Sequence, residues 1–314
     1  MIRAPFGRLA LAGALALAAF AAERSASAYC FTYDCDPASG ICPEDESGCP
    51  GGKVRLRWPV NCLGFSVQQD ASRQVNLATF LPIADQAFAS WTSAVDCGGG
   101  RPPSISIKRR SDTIACAEQE YNQKGGNANI VMFRDEVWPY TGADNTLALT
   151  TLTFNTETGE IYDADMEING TPRMRITTGD VNVDKDLLSI VTHEAGHFLG
   201  IAHTQRELHP QATMFASYDA GTISLRDLDD DDRQAICGLY PSDEIRSECD
   251  PRVEAEPRHG YSSECGGGET EEDGCHAATP GRRPPLWPPF ALVGLVGLAA
   301  LGRRRRGRSG RARP

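Results

Sequence analysis

Val191-Thr192-His193-Glu194-Ala195-Gly196-His197-Phe198-Leu199-Gly200-Ile201-Ala202-His203 lies past the middle of a 314-residue chain. Residues four apart share a helical face, so His193 and His197 can present their imidazoles to one ion. Gly200 tolerates a positive φ, ends the helix and lets His203 reach the same ion from below. Three neutral imidazoles leave one tetrahedral position open, which is the pattern of a catalytic zinc and not of a structural one. Glu194, next to the first ligand, is the candidate general base and acid. It would take a proton from a zinc-activated water and deliver it to the leaving amine. The five-residue pattern arises by chance on the order of once in 10⁵ chains of this length, which argues against core histidines on an ordinary amphipathic helix. Leu187, Val191, Ala195, Phe198 and Leu199 already supply the apolar stripe of such a helix.

The flanking sequence reads as one mixed α/β domain. Val54-Arg55-Leu56-Arg57-Trp58 alternates like a strand, and Leu77 to Trp91 sets Phe80, Ile83, Ala84, Ala87, Phe88 and Trp91 at helical spacing, with Pro82 near its start. Ser104 to Ile107 and Asn129 to Phe133 read as strands. Leu147 to Phe154, a turn at Thr156-Glu157-Thr158-Gly159 and Ile161 to Ile168 form a hairpin. Asp184 or Asp186 caps the helix that Leu187 opens, and Leu225 to Tyr240 reads as a closing helix. The domain spans 53–241, after a Cys-dense cap at 29–52 and before an acidic, Gly- and Cys-containing spacer at 242–281. No internal repeat is visible.

Both ends read as addresses. Arg3 and Arg8, the apolar run Leu9 to Phe20 and Ala26-Ser27-Ala28 have the order of a secretory signal peptide, 1–28. At the other end, 282–314, the apolar run Phe290 to Leu301 follows Pro288-Pro289 and precedes Arg303-Arg304-Arg305-Arg306. As a helix of about a dozen residues it would reach only ~18 Å, short of a ~30 Å bilayer core. That suits a sorting or anchor tail placing the protein at a membrane or cell surface. With Gly274-Cys275 just upstream, the tail resembles the three-part C-terminal sorting signals of myxobacterial surface proteins, which implies a bacterial outer surface.

Charge and cysteine usage agree with an exported protein. Between Tyr29 and Gly281 there are 19 basic and 41 acidic side chains, a balance that repels phosphate backbones and argues against nucleic acid. Eleven cysteines in an exported chain imply disulfides. Cys275 is the candidate odd one, and the pairing of the other ten stays open. Zinc binding within Cys30 to Cys49 is disfavoured because no C-x-x-C occurs there.

The motif at 193–203, followed by Met214 in Ala212-Thr213-Met214-Phe215, resembles the metzincin metalloproteases. Thr204 after the last His, Met214-Phe215-Ala216-Ser217-Tyr218, and Asp231-Asp232 through Leu239-Tyr240 are most similar to the matrixin branch, with Ala216 where that family has Pro. The resemblance implies an α+β fold: a twisted mixed sheet of about five strands, a backing helix, an active-site helix and a C-terminal helix. It implies Met214 as the Met-turn residue and one catalytic zinc. It makes Leu147, Ala148, Leu149 and Thr150, on the sheet's edge strand, the residues that pair with an extended peptide substrate. Phe215 and Tyr218 would wall the pocket beyond the scissile bond. Asp163, Asp165 and Glu167 sit where the family uses acidic residues for calcium, and equally read as a solvated strand face. The family's second zinc site lacks ligands here, because no His precedes His193, and its Pro-Arg-Cys-Gly latch is absent. The expectation is an exported, monomeric zinc endopeptidase acting on protein or peptide substrates. The alternative is a latent or inactive zinc-bound surface binding or adhesion module; Glu194 and all three ligands being present speaks against it.

Overall fold

A hairpin organises the sheet. The computed structural model of the chain describes residues 29–34, 44, 49–204, 209–244, 249–250, 255–267 and 294–300. The expected signal peptide, Cys35, Cys42, Cys275 and the rest of the tail lie outside them. β1 (Cys30–Phe31) is followed by β2 (Cys62–Val67), α1 (Leu77–Trp91), β3 (Ser106–Arg109), β4 (Ile130–Arg134), and the hairpin β5 (Thr146–Phe154) and β6 (Ile161–Asn169). Then come β7 (Ile176–Thr177), β8 (Lys185–Asp186), α2 (Leu187–Phe198), β9 (Ile201–Ala202), β10 (Ser217–Tyr218), α3 (Asp230–Leu239) and β11 (Gly294–Ala300). Five strands, ordered β5-β6-β4-β2-β3, form the body of a mixed sheet, and β11 and β10 extend it beyond β5. β5 and β6 are antiparallel, whereas β6, β4, β2 and β3 pair in parallel.

The alternation of β4 and β6 sorts their side chains onto two faces. Val131, Ala164, Met166 and Ile168 enter the main core with α1 and α2. Ile130 and Met132 point the other way, into a second cluster with Ile114, Cys116 and Tyr261. That second face is also covered, and it overturns the reading of Asp163, Asp165 and Glu167 as a solvated strand face. All three are fully buried. Asp165 accepts the backbone N–H of Ile130 (2.9 Å) and of Glu120 (3.1 Å). Glu167 pairs with Arg134 and accepts the Tyr140 hydroxyl. Burial and the neighbouring Asp165 push the Asp163 carboxyl well above the usual range.

Local signals account for most boundaries. Asn76 caps α1 by accepting the Thr79 N–H, and Pro82 is accommodated within the helix. Of the two candidate caps for α2, Asp186 is the one used: its side chain accepts the Ser189 N–H at 2.9 Å. The closing helix is shorter than expected. Asp229 and Asp232 form a capping box that starts α3 at Asp230, and Leu225 sits in a separate 3-10 turn, Ser224–Arg226. β3 and β4 begin one or two residues later than their apolar alternation suggested. Val54 to Trp58 makes two isolated bridges, Arg55 with Tyr33 and Arg57 with Glu160, and no continuous ladder. The apolar run at 290–301, sized above as a helix, holds a strand, β11. Among the described residues, no helix is long and apolar enough to cross a membrane.

Disulfides staple the described residues at four places: Cys30–Cys49, Cys62–Cys249, Cys97–Cys237 and Cys116–Cys265. The first joins the two ends of the N-terminal cap, and β1 of that cap pairs with β9 just after α2. Cys116–Cys265 holds the segment carrying Tyr261 against the second face of the sheet.

Arg226 donates to both carboxylate oxygens of Asp186, at 2.8 and 2.6 Å. Asp186 is fully buried at the start of α2. Replacing Arg226 by Ala strands that carboxylate, so Arg226→Ala is expected to lose about 3 kcal/mol in urea unfolding. An unchanged unfolding midpoint would show that α2 does not depend on the pair.

Candidate active site

Every residue of α2 is buried, including Ser189, Thr192, His193, Glu194 and His197. The helix is therefore not amphipathic in the ordinary sense, and its polar groups need partners inside the protein. Trp91 donates its indole N–H to the Thr192 carbonyl (2.7 Å) and Trp58 to the Phe198 carbonyl (2.8 Å). The Tyr240 hydroxyl donates to the Leu199 carbonyl at 2.8 Å. These three aromatic donors satisfy carbonyls along the helix and at its end. Gly200, at φ +95°, then turns the chain, and a Cβ there would lie 2.7 Å from the Leu56 carbonyl oxygen.

The histidines converge as the spacing predicts. His193 Nδ1 lies 2.6 Å from the Thr213 carbonyl oxygen and His197 Nδ1 lies 2.8 Å from that of Ile201. A carbonyl only accepts, so both Nδ1 atoms carry hydrogen and both Nε2 atoms present lone pairs. His203 Nε2 is 3.1 Å from His193 Nε2 and 3.2 Å from His197 Nε2. Three ligands at ~2.05 Å around a tetrahedral zinc stand about 3.3 Å apart, so the donor set fits that ion in both chemistry and spacing. Burial lowers His193 to about 4 and His197 well below its ordinary value. Both rings are thus neutral at pH 7, the form that ligates.

Glu194 is tied to the sheet. Its Oε2 accepts the Thr150 hydroxyl at 2.7 Å, which aims the carboxylate from β5 beside the histidines. Thr150 is fully buried, as is its neighbour Ala148, and Leu147 and Leu149 are nearly so. The strand they form is not the free edge expected of it, because β11 lies along its outer side.

Met214 packs beneath the site against α2. A Cβ on Gly196 would come 2.3 Å from Met214 Sδ and 2.7 Å from Trp91 Cζ2, so only glycine lets the Met turn approach this closely. The turn is held by the first residues of α3. Asp232 accepts the N–H groups of Thr213 (2.6 Å) and Met214 (3.1 Å), and burial, opposed by these donors, pushes its carboxyl up to about 6. Asp231 accepts the Thr204 hydroxyl (2.7 Å) and the Tyr29 N–H (3.0 Å), joining the cap and the segment after His203 to α3. Beyond the turn, Phe215 is half-buried and bridges to Thr204. Tyr218 is fully buried, its hydroxyl accepting the Asp186 N–H and donating to the Thr222 carbonyl.

Sequence reasoning missed Thr150 as the partner of Glu194, Gly196 as the seat of Met214, and the Thr213 and Ile201 carbonyls that orient the rings. Only Gly196 had a local signal, a glycine inside a helix, where it weakens the helix unless packing requires it.

The family model described as Matrixin matches residues 57–241, more than half of the chain. No curated protein matches it.

Gly196→Ala is expected to cost roughly 1–3 kcal/mol by overpacking against Trp91 and Met214, read by thermal unfolding. His193 and His197 set a pH dependence in the metal-free protein. Their folded pKa values lie below the unfolded value of ~6.5, so the folded state binds fewer protons. Stability is complete above that pH and is lost as pH falls through 4, His193 alone accounting for about 3 kcal/mol. Melting curves of the chelated protein that stay flat between pH 7 and 4 would contradict this.

Proposed function

The chain belongs to the matrixin family of zinc metalloendopeptidases, and on that premise we propose that it is an exported endopeptidase with His193, His197 and His203 as zinc ligands and Glu194 as general base and acid. The carrying observation is the convergence of three imidazoles, with His203 Nε2 3.1 Å from His193 Nε2 and 3.2 Å from His197 Nε2, beside a carboxylate held by Thr150. A bound zinc supplies Lewis acidity to a water and to the peptide carbonyl. Glu194 accepts the proton that the attacking water gives up, and returns it to the amine as the peptide C–N bond breaks. The Thr150 hydroxyl keeps the carboxylate oriented through both transfers, which makes Thr150 a positioning residue.

Substrate enters extended along β5, Leu147 to Thr150, by strand addition, and its residue beyond the scissile bond faces the segment from Phe215 to Tyr218, which follows Met214. Export is supported by the signal-like N-terminus and by four disulfides of the kind kept in oxidising compartments. A cut after Ala28 would turn the Tyr29 N–H into an ammonium beside the buried carboxylate of Asp231, a stronger bond than the amide makes.

Metal analysis of the full chain is expected to find one zinc per molecule. Glu194→Ala should retain that zinc and lose turnover of a mixed peptide library by roughly 10²–10⁴-fold or more. Thr150→Val should lower kcat with little change in KM and shift the acidic limb of the pH profile. A Glu194→Ala protein cleaving at the native rate would remove Glu194 from the mechanism.

A further inference from the structure

Antiparallel to β5 and parallel to β10, Gly294–Ala300 takes the place that an extended peptide takes when it adds to this side of the sheet. Gly294 stands opposite Leu152, Leu295 opposite Thr151, Val296 opposite Thr150, Gly297 opposite Leu149 and Leu298 opposite Ala148. The register then shifts, and Ala299 and Ala300 go on to pair with Ser217 and Tyr218. Thr150 is the residue that holds Glu194, so the backbone of β11 passes the level of the general base. It also lies against α2, the helix that carries His193 and His197. The segment bridges the two walls of the groove, β5 on one side and the strand after the Met turn on the other.

The chemistry of both partners favours this pairing. Without β11, β5 would be an edge strand whose residues from Leu147 to Leu152 carry no charge. Such an edge pairs with any extended chain on offer. Gly294-Leu295-Val296-Gly297-Leu298-Ala299-Ala300 has no charge and no proline, so all of its backbone N–H groups are available. Being part of the same chain, it meets the groove at an effective concentration on the order of millimolar.

We propose that Gly294–Ala300 is a cis ligand of the substrate groove, a competitor built into the chain that an incoming peptide must displace. The proposal rests on the peptidase reading for the identity of the groove, and it supplies a block where the cysteine latch is missing.

Hydrogen exchange tests occupancy without any need for activity. Successive N–H groups of a strand point to opposite sides, so the double substitution Val296→Pro and Gly297→Pro must delete at least one donor facing β5. Both positions lie outside residues 57–241, the span matched by the family model. The full chain carrying Glu194→Ala, loaded with zinc, is compared with the same chain carrying the two prolines. Amides of residues 146–154 that face β11 are expected to exchange about 10-fold faster in the proline variant. Those facing β6 should stay protected in both. Equal exchange along β5 would overturn the proposal. With Glu194 intact, the proline pair is expected to raise cleavage of a reporter peptide about 10-fold; an unchanged rate would overturn the block. Intact mass should show the native chain whole. Loss of its end within 294–300, absent in Glu194→Ala, would overturn the role of competitor, because the segment would then be a substrate that is consumed. If neither chain cleaves any peptide, the peptidase reading fails, and exchange along β5 still decides occupancy.

Discussion

The burial of α2 on every side is the constraint on which the site depends. A helix that carries His193, Glu194 and His197 through the interior must have each polar group met by a partner, or folding bears the cost of desolvating it. Trp58, Trp91 and Tyr240 supply donors for its carbonyls, the Thr213 and Ile201 carbonyls take the imidazole N–H groups, and Thr150 donates to Glu194. The same bonds that make burial tolerable also fix the ring tautomers and aim the carboxylate. Stability and preorganisation of the site are one set of contacts.

The first turn of α3 ties the remaining pieces to that helix. Two adjacent aspartates divide the work: Asp232 holds the Met turn and closes the capping box, and Asp231 binds Thr204 and the start of the N-terminal cap. Segments far apart in sequence thus meet at one helix N-terminus, where the dipole favours carboxylates. The capping box that shortens α3 relative to its apolar pattern is therefore also what positions Met214 under Gly196.

The missing edge has a bearing on how the peptidase is used. A groove that reads peptides through backbone pairing has little means of refusing an uncharged segment tethered to the same chain. The sheet closes on β11 and β10, and β5, the strand proposed to receive substrate, is engaged on both sides. Access to Glu194 then becomes a competition between an internal segment and an external peptide, with the internal one favoured by proximity.

Local pattern determined a good deal by itself. The His spacing, the Gly200 break, the hairpin around Gly159 and the span of α1 follow from periodicity and from backbone preferences that act within a few residues, and the structure reproduces them. The short strands near Val54 and Ser104 were less legible, because a ladder depends on a partner strand that the local sequence does not contain. The acidic alternation Asp163, Asp165, Glu167 looked solvated for the same reason: whether a sheet's second face is wet depends on what covers it, and here Glu120, Arg134, Tyr140 and the stapled segment at 255–267 do. Sequence alone singled out the candidates for binding metal and moving a proton. Tertiary structure decided that Thr150 holds Glu194, that Gly196 seats Met214 and that Gly294–Ala300 lies along β5, since each is a contact between residues distant in the chain, and no local propensity encodes such a contact.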